Sequence, residues 1–392
     1  MSSQNINNKR DAILLTKPNK GKVIMQDILY EIFKNLSVKE LLNVYLTGNS
    51  DFINVLEKYI FDFYDEPIPK KMSIKQFRNI FKSTKGLNIS NRQNITDKDF
   101  EFIRPIPPTT VAGQNYMNGF RLNMNDCWKI TDAAFVQLKG IHTLDMSYCD
   151  QITDAAFVHL KGIKKLSMRV CRKITDGAFE HLKGIHTLDM SNCSKITDAA
   201  FIHLKGIHTL NLRECNQITD AAFVHLDGIK ELDIGGCNQI TDAAFVYLKG
   251  IHRLDMWGCS KITDAAFVNL KGIHTLKMNG CDQITDTAFV HIEGIKNLNM
   301  RSCDQITDAA FVHLKGIHKL NIMYCNQITD AAFVHLKGIK ELDMSYCIQD
   351  TITHNGLRNL VGIELLVIDE DFLDITKYLR LNAIDSCFVA NY

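Results

Sequence analysis

The feature that most constrains the fold of this chain of 392 residues is a repeat of fixed length. Eleven of its twelve cysteines lie 22 residues apart, from Cys127 to Cys347, and only Cys387 falls outside the series. An unbroken period of about 20–29 residues is typical of a solenoid whose unit is one strand and one helical segment. A unit of that size does not bury its apolar face alone, so neighbouring units must stack. The repeat therefore predicts an α/β solenoid, with a parallel sheet on the concave side and helices on the convex side.

The unit from 141 to 162 shows which residues form the predicted core. Leu144 and Met146 alternate with polar residues, which predicts a short strand with these two side chains inward. Thr153 is placed to cap the helical segment, Phe157 faces the core, and Gly162 is a natural helix stop. Burial of each large apolar side chain contributes roughly 1.5–3 kcal/mol. The core is therefore expected to need neither a disulfide nor a metal.

Charge and hydropathy exclude several classes of protein. Lys and Arg number 45 and Asp and Glu 44, so the net charge of +1 provides no broad surface for nucleic acid or anionic lipid. The sequence has no run of 18 apolar residues and no N-terminal signal pattern. We expect a soluble cytoplasmic protein without nucleic-acid or membrane partners.

The cysteine and histidine columns are read as structural parts. Zinc sites need converging ligands at spacings such as Cys-x-x-Cys, which does not occur. The sequence also lacks a nucleophile elbow, a phosphate loop and a His-Glu-x-x-His motif. We therefore expect no enzyme activity, no cofactor and no metal. A metal-binding or enzymatic solenoid that uses the Cys and His columns remains an alternative, and the role of Cys387 is open.

The outward strand positions vary between units that are otherwise nearly identical, which predicts a partner-binding surface there. Arg, Trp and Tyr dominate protein interfaces, and Gly235, Gly236 and Gly258 are expected to leave room beside the single Trp of this surface. The candidate substrate-binding residues are Asp145, Arg169, Asp189, Arg213, Asp233, Asp255, Trp257, Arg301, Tyr324 and Tyr346.

The residues before the repeats predict a small all-α domain. Apolar positions in Met25–Leu36 form one helical stripe, and Ser37 with Glu40 forms a capping box for a second helix. A third helix is predicted near Phe52–Ile60, and a fourth after Ser73, whose capping partner is Gln76. We divide the chain into a flexible segment 1–22, a helical domain 23–83, a solenoid 84–368 and a C-terminal cap 369–392.

The repeats resemble the cysteine-containing class of leucine-rich repeats. The matching motif is Cys149-Asp150-Gln151-Ile152-Thr153-Asp154, continued by Leu160, Ile163, Leu166, Met168 and Cys171, and the match covers 122–368. The resemblance implies that each thiol lies inside the turn after the strand and donates a weak hydrogen bond to the backbone. It also implies a protein-binding concave face.

The first helices resemble an F-box, the module by which substrate receptors dock onto the Skp1 adaptor of cullin-based ubiquitin ligases. The usual Leu-Pro opening is replaced by Ile24-Met25, and the usual Val-Cys-x-x-Trp ending by residues 46–52. The Asn, Ile and Lys bias of near-identical repeats is similar to F-box/repeat proteins of large amoeba-infecting DNA viruses, which would place the protein in the host cytoplasm. The resemblance implies Skp1-binding residues Ile24, Ile28, Leu29, Ile32, Phe33, Leu36 and Leu41.

The resulting hypothesis is a non-catalytic adaptor. Its F-box would bind a Skp1-like protein and through it a cullin, and its concave face would bind an unidentified protein substrate. The alternative is an interaction scaffold or inhibitor without a link to ubiquitin, whose N-terminal helices only cap the solenoid. That alternative predicts that Ile28, Ile32 and Phe33 are buried against Leu87 and Ile89.

Overall fold

The computed structural model of the chain describes residues 21–103, 119–347, 351–368 and 387–389. Within these ranges, the side chains of 21–25, 354 and 387–389 are not described. The predicted flexible segment 1–22 and C-terminal cap 369–392 lie almost entirely outside the described residues. The described residues are therefore essentially those of the helical domain and the repeats.

The helical domain contains four α-helices, two of which start at the predicted capping boxes. Both predicted capping boxes are confirmed: Ser37 with Glu40, and Ser73 with Gln76, bond reciprocally through side chain and backbone. The first helix ends at Phe33 rather than at the predicted Leu36. The helices are α1 (Gly21–Phe33), α2 (Val38–Leu46), α3 (Ser50–Lys58) and α4 (Ile74–Ile80).

One parallel sheet runs through the molecule, and its fifteen described strands lie in chain order. The strand of each repeat pairs in register with that of the next, for example Leu144 with Leu166. This confirms the predicted α/β solenoid. The strands are β1 (Phe61–Phe63), β2 (Thr84–Asn88), β3 (Arg121–Asn123), β4 (Thr143–Asp145), β5 (Lys165–Ser167), β6 (Thr187–Asp189), β7 (Thr209–Asn211), β8 (Glu231–Asp233), β9 (Arg253–Asp255), β10 (Thr275–Lys277), β11 (Asn297–Asn299), β12 (Lys319–Asn321), β13 (Glu341–Asp343), β14 (Leu365–Ile368) and β15 (Cys387–Val389).

The helical segments of the repeats are mostly 3₁₀ helices. A 3₁₀ helix rises about 2 Å per residue against 1.5 Å in an α-helix, so it crosses the convex side in fewer residues. None of the helices in the described ranges has the length and apolar character needed to cross a bilayer. The 3₁₀ helices are Asp97–Phe102, Asp132–Leu138, Asp154–Leu160, Asp176–Leu182, Asp198–His203, Asp220–His225, Asp242–Tyr247, Asp264–Asn269, Asp286–His291 and Asp308–His313, followed by α5 (Asp330–Phe333) and α6 (His354–Leu357).

The core between sheet and helices contains the side chains predicted to be inward. In the unit from 141 to 162, Leu144, Met146, Cys149 and Phe157 are all buried, and the same positions are buried along the stack. A continuous apolar core of this kind makes each unit depend on its neighbours.

The helical domain and the repeats share one sheet and one core. β1 lies in the helical domain, yet it pairs with β2, the first strand of the predicted solenoid. Arg78 of α4 donates to the carbonyl oxygen of Phe102 at 3.1 Å, and its guanidinium carbon lies 5.6 Å from the centre of the Phe120 ring. The helical domain is thus attached to the end of the stack by both backbone and side-chain contacts.

Successive units are also tied together on the convex side, by bonds between threonine and aspartate. Thr153 donates its N–H and its hydroxyl to the two carboxylate oxygens of Asp132 in the preceding unit, at 2.8 and 2.6 Å. The same pair of bonds recurs along the described repeats, from Asp97 with Thr131 to Asp330 with Thr353. The sequence predicted only that the threonine caps its own helix. We call this row of bonds the Asp–Thr ladder.

Removal of one carboxylate from the ladder should destabilise the stack. Asp198 accepts the N–H and hydroxyl of Thr219 at 2.8 and 2.6 Å, and hydrogen bonds to charged groups contribute about 1.5–3 kcal/mol. We expect Asp198→Ala to lower the free energy of unfolding by about 2 kcal/mol in urea denaturation followed by circular dichroism. Asp227→Ala is the control, because Asp227 is exposed and outside the ladder. Equal effects of the two substitutions would contradict a stabilising role of the ladder.

Candidate protein-binding surface

The concave face is formed by the outward side chains of the sheet and of the turns that follow the strands. The last residue of most strands is Asp or Asn, and its side chain accepts the N–H two residues on. Asp145 Oδ1 accepts from Ser147 at 3.0 Å, and Asp233 Oδ1 accepts from Gly235 at 2.9 Å. Asp189 and Asp255 make the equivalent bonds. The four carboxylates predicted to bind a substrate are therefore also turn-forming residues.

The alternation of Asp and Asn in this column has a structural explanation that the sequence alone did not indicate. Either side chain provides the acceptor that the turn needs, so exchange between them does not require a partner. Burial and the neighbouring Asp255 raise the pKa of Asp233. Lys277 lies 3.1 Å from Asp255 and offsets part of this negative charge.

In each turn, the second residue after the strand varies between units, and the third residue after the strand has a left-handed backbone. Its φ is +59° at Tyr148 and Val170, and Gly258 has +68° in the same column. A β-branched side chain such as that of Val170 is strained there. Gly and Asn occur in this column of the sequence, and their presence was the signal from which a left-handed backbone could have been predicted. The turn orients the preceding residue, which in three units is an exposed arginine: Arg169, Arg213 or Arg301.

Two of the predicted residues form what we call the Trp257 cluster. The guanidinium carbon of Arg213 lies 4.8 Å from the centre of the Trp257 ring, and that Trp is 40% exposed. Gly235 comes between them in the sheet, and a Cβ on it would lie 3.5 Å from the Trp257 Cβ. Because Gly235 has no side chain, Arg213 reaches across it and stacks on a ring two strands away. Apart from its chain neighbours, Gly258 has no atom within 4 Å of the place where a Cβ would stand.

Three others form what we call the tyrosine cluster. The guanidinium carbon of Arg301 lies 5.2 Å from the centre of the Tyr324 ring. Tyr324 stacks on Tyr346 at 4.6 Å with an angle of 5° between the rings. The last predicted arginine, Arg169, makes only a long contact of 3.9 Å with Asp189 at the surface, and such pairs contribute little.

A shallow concavity of about 320 Å³ lies on the C-terminal half of the sheet, next to these clusters. Its walls are polar at Lys277, Asn299, Asn321 and Asp343. Asn321 Nδ2 donates to Asp343 Oδ2 at 2.8 Å, which fixes both side chains. Sequence reasoning did not identify this depression, because it depends on how five successive strands, β10 to β14, are arranged.

The thiols form the backbone-bonded column that the resemblance implied. Cys215 Sγ donates to the carbonyl oxygen of Met190 at 3.2 Å, and equivalent bonds recur from Cys127 to Cys347. Burial raises the pKa of Cys215 and Cys259 to about 11 and that of Cys171 to about 12. Protonated, buried thiols are neither nucleophiles nor metal ligands. Cys387 lies where side chains are not described.

The histidines form two outer columns. His186 and His208 stack at 4.6 Å between ring centres, and His252 and His274 stack at 4.8 Å. In the described part of the chain, no group of three or more His, Cys, Asp or Glu side chains is arranged to hold a metal ion.

The candidate adaptor-binding residues of the helical domain fall into three groups. Leu29, Phe33 and Leu41 are buried in the domain's own core, and Ile32 and Leu36 are half-buried. Ile28 is 54% exposed. Ile24 lies on α1 in the stretch whose side chains are not described. The exposure of Ile28 contradicts the cap alternative at that residue, and Phe33 packs edge-on against Phe52 at 5.6 Å.

Comparison with known proteins agrees with this architecture. A profile described as BspA type leucine rich repeat region matches six copies over residues 128–252 and 255–359. Comparison with curated protein sequences finds no match.

Solved structures of similar fold include the crystal structure of the yeast Rad7 and Elc1 complex, at 16% identity, 94% coverage of each chain and a TM-score of 0.51. The mouse RP105/MD-1 complex matches at 15% identity and a TM-score of 0.55, over 85% of this chain and 64% of that chain. The TLR13–ssRNA13 complex matches at 16% identity and 0.50, over 90% and 59%. The present chain thus spans about 60% of the length of the last two, and such low identities show the fold alone.

The raised thiol pKa values predict that the stack loses stability in alkali. A thiol that binds its proton more tightly when folded stabilises the protein fully below the unfolded pKa, near 9, and this contribution is lost as the pH rises through about 11. We expect the free energy of unfolding to fall steeply between pH 9 and 11. Urea denaturation at several pH values measures the slope. Cys215→Ala with Cys259→Ala should make it shallower, and an unchanged slope would contradict the prediction.

Proposed function

Because this chain belongs to the BspA-type leucine-rich repeat family, we propose that it is a non-catalytic adaptor whose concave face binds a protein partner. The observation that carries the proposal is the pair of exposed arginine–aromatic clusters on that face. Trp, Tyr and Arg are the residues that contribute most to binding at protein interfaces.

The clusters are preorganised, which favours tight binding. Arg213 is held on Trp257, and Tyr324 is held between Arg301 and Tyr346. Side chains that are already ordered lose less conformational entropy when a partner binds. The Trp257 ring is 40% exposed, so a partner side chain can reach it.

The second part of the proposal is that the helical domain binds a Skp1-like adaptor and, through it, a cullin. Its support is the resemblance of α1 and α2 to an F-box and the exposure of Ile28. Leu29, Phe33 and Leu41 would position the helices from within, and Ile28 with the half-buried Ile32 and Leu36 would supply the contact. One structure of similar fold, that of yeast Rad7 and Elc1, is a complex of two proteins. The concave partner would then be a substrate for ubiquitination.

A scaffold or inhibitor without a link to ubiquitin is the second candidate. It is favoured by the pairing of β1 with β2, which attaches the helical domain to the stack as a cap would be attached. The two candidates share the concave binding surface and differ in whether α1 binds another protein.

Loss of the Trp257 ring should weaken the binding of the partner to the concave face. Affinity purification of the intact protein from its native host, with chemical cross-linking, would identify that partner. Trp257→Ala and Arg213→Ala should each then reduce its affinity by about 1–4 kcal/mol in a calorimetric titration. Trp128→Ala is a matched control, because Trp128 is 42% exposed and lies in a different column from Trp257. If Trp257→Ala bound the partner as tightly as the parent protein does, the assignment of this surface would be refuted.

A negative charge at Ile28 should abolish adaptor binding. We expect the parent protein to retain recombinant Skp1 in a pull-down and Ile28→Asp to lose it, since a carboxylate would be desolvated in an apolar contact. Val361→Asp is the control, because Val361 is 78% exposed and lies near the opposite end of the stack, outside the helical domain. A parent that does not bind Skp1 decides for the scaffold alternative. An Ile28→Asp variant that binds as well as the parent refutes the assignment of Ile28 to the adaptor contact.

A further inference from the structure

The convex face carries a regular apolar surface that the proposed function does not use. A 3₁₀ helix has three residues per turn, so residues i, i+3 and i+6 lie on one line. In the unit from 154 to 160, that line is Ala155, Val158 and Lys161, and all three are exposed. The same arrangement in neighbouring units produces parallel rows of Ala, Val and Lys along the stack.

The middle row is a continuous strip of exposed aliphatic side chains, which we call the valine ridge. Its members are between 42% and 61% exposed, and Glu180 replaces the aliphatic residue in one unit. Scattered exposed apolar residues are ordinary, but contiguous patches of several hundred Å² mark interaction sites. The valine ridge consists of Val136, Val158, Ile202, Val224, Val246, Val268, Val290, Val312 and Val334.

The area of the ridge is close to what a stable dimer requires. At roughly 70–80 Å² per half-exposed valine, the ridge offers about 650–700 Å², and the flanking alanines add to it. A standard interface buries about 800 Å² on each partner. A partner that covers the ridge along its length would therefore form an interface of ordinary size.

Charged rows of opposite sign border the ridge. At the end of each helix lies a row that is mostly lysine, with Asp227 and Glu293 as exceptions. At the start of each helix lies the aspartate of the Asp–Thr ladder, whose charge remains because its threonine donors are neutral. The lysine row comprises Lys139, Lys161, Lys183, Lys205, Lys249, Lys271, Lys315 and Lys337.

We propose that the valine ridge is the interface between two copies of this chain, lying in parallel about a two-fold axis along the ridge. Such an axis places the lysine row of each copy over the aspartate row of the other. A two-fold axis across the ridge would instead set lysine against lysine. A second copy also has the same spacing between successive valines. An anionic membrane is less suitable, because it would be repelled by the aspartates.

The arrangement leaves the other two surfaces free. The Trp257 cluster lies on the opposite side of the sheet, and Ile28 lies in the helical domain, beyond the first unit of the ridge. In a parallel dimer, both helical domains are at the same end. The dimer would present two concave faces, and a bivalent partner would gain avidity.

The first test is the mass of the full-length protein in solution, by sedimentation and by light scattering, at about 1–100 μM. We expect a dimer for the parent and a monomer for a variant with Val224→Glu, Val246→Glu and Val268→Glu. The control variant carries Gln217→Glu, Gln239→Glu and Gln283→Glu, which add three charges at exposed positions off the ridge. It should remain dimeric, and unchanged circular dichroism would show that both variants are folded.

Three outcomes would overturn the proposal: a monomeric parent, a dimeric ridge variant, or a control that dissociates as the ridge variant does. A monomeric parent that cosediments with phosphatidylserine vesicles would assign the ridge to a lipid surface instead.

The second test determines the orientation by cysteine cross-linking. In the parallel dimer, Val158→Cys faces its own copy and forms an intermolecular disulfide with itself under mild oxidation, as does Val312→Cys. In the opposite orientation, with the whole ridge covered, only a mixture of these two variants would cross-link, and that result would overturn the parallel arrangement. A mixture of Val224→Cys and Val246→Cys, which flank the middle of the ridge, cross-links in either orientation and serves as the positive control. The buried native thiols, whose pKa is raised, do not compete in this reaction. All variants also carry Cys387→Ser, which removes the one native thiol outside the repeat series.

Discussion

The structure depends on two sets of hydrogen bonds that connect each unit to the next on opposite sides of the core. The sheet does so on the concave side, and the Asp–Thr ladder does so on the convex side. A single unit would leave the carboxylate of Asp132 without the donors of Thr153 and would expose the ring of Phe157. Stability therefore resides in the contacts between neighbouring units, and the thiol column adds a third set of bonds within the turns.

This constraint separates positions that must be constant from positions that are free to vary. The turn-forming Asp and Asn side chains of most units, the thiols and the inward residues make equivalent contacts along the stack. The second residue after each strand has no such structural role, and there the chain carries Arg213, Trp257 and Arg301. The same turn imposes a left-handed backbone on the next residue along, which Val170 adopts at a cost of about 1–2 kcal/mol. The surrounding sheet holds that strained conformation in place.

Local signals predicted much of the fold and part of the candidate site. Alternation identified Leu144 and Met146 as inward, and the capping boxes of Ser37 and Ser73 follow from residues three positions apart. The sequence did not decide between an α-helix and a 3₁₀ helix, because both place Phe157 and Leu160 on one side. The sequence also did not predict that Ile28 is exposed and Leu29 buried. Both belong to the same apolar stripe, and only the packing of α1 on its neighbours distinguishes them.

The amino-acid sequence by itself determined the period, the stacking, the inward side chains and the caps, since these depend on spacings within one unit. Only the tertiary structure decided which residues of different units meet. Thr153 bonds to the preceding unit's Asp132, and Arg213 passes over Gly235 to reach Trp257. The physical reason is that such contacts form across the narrow separation of neighbouring strands, a distance set by the sheet and not by position along the chain.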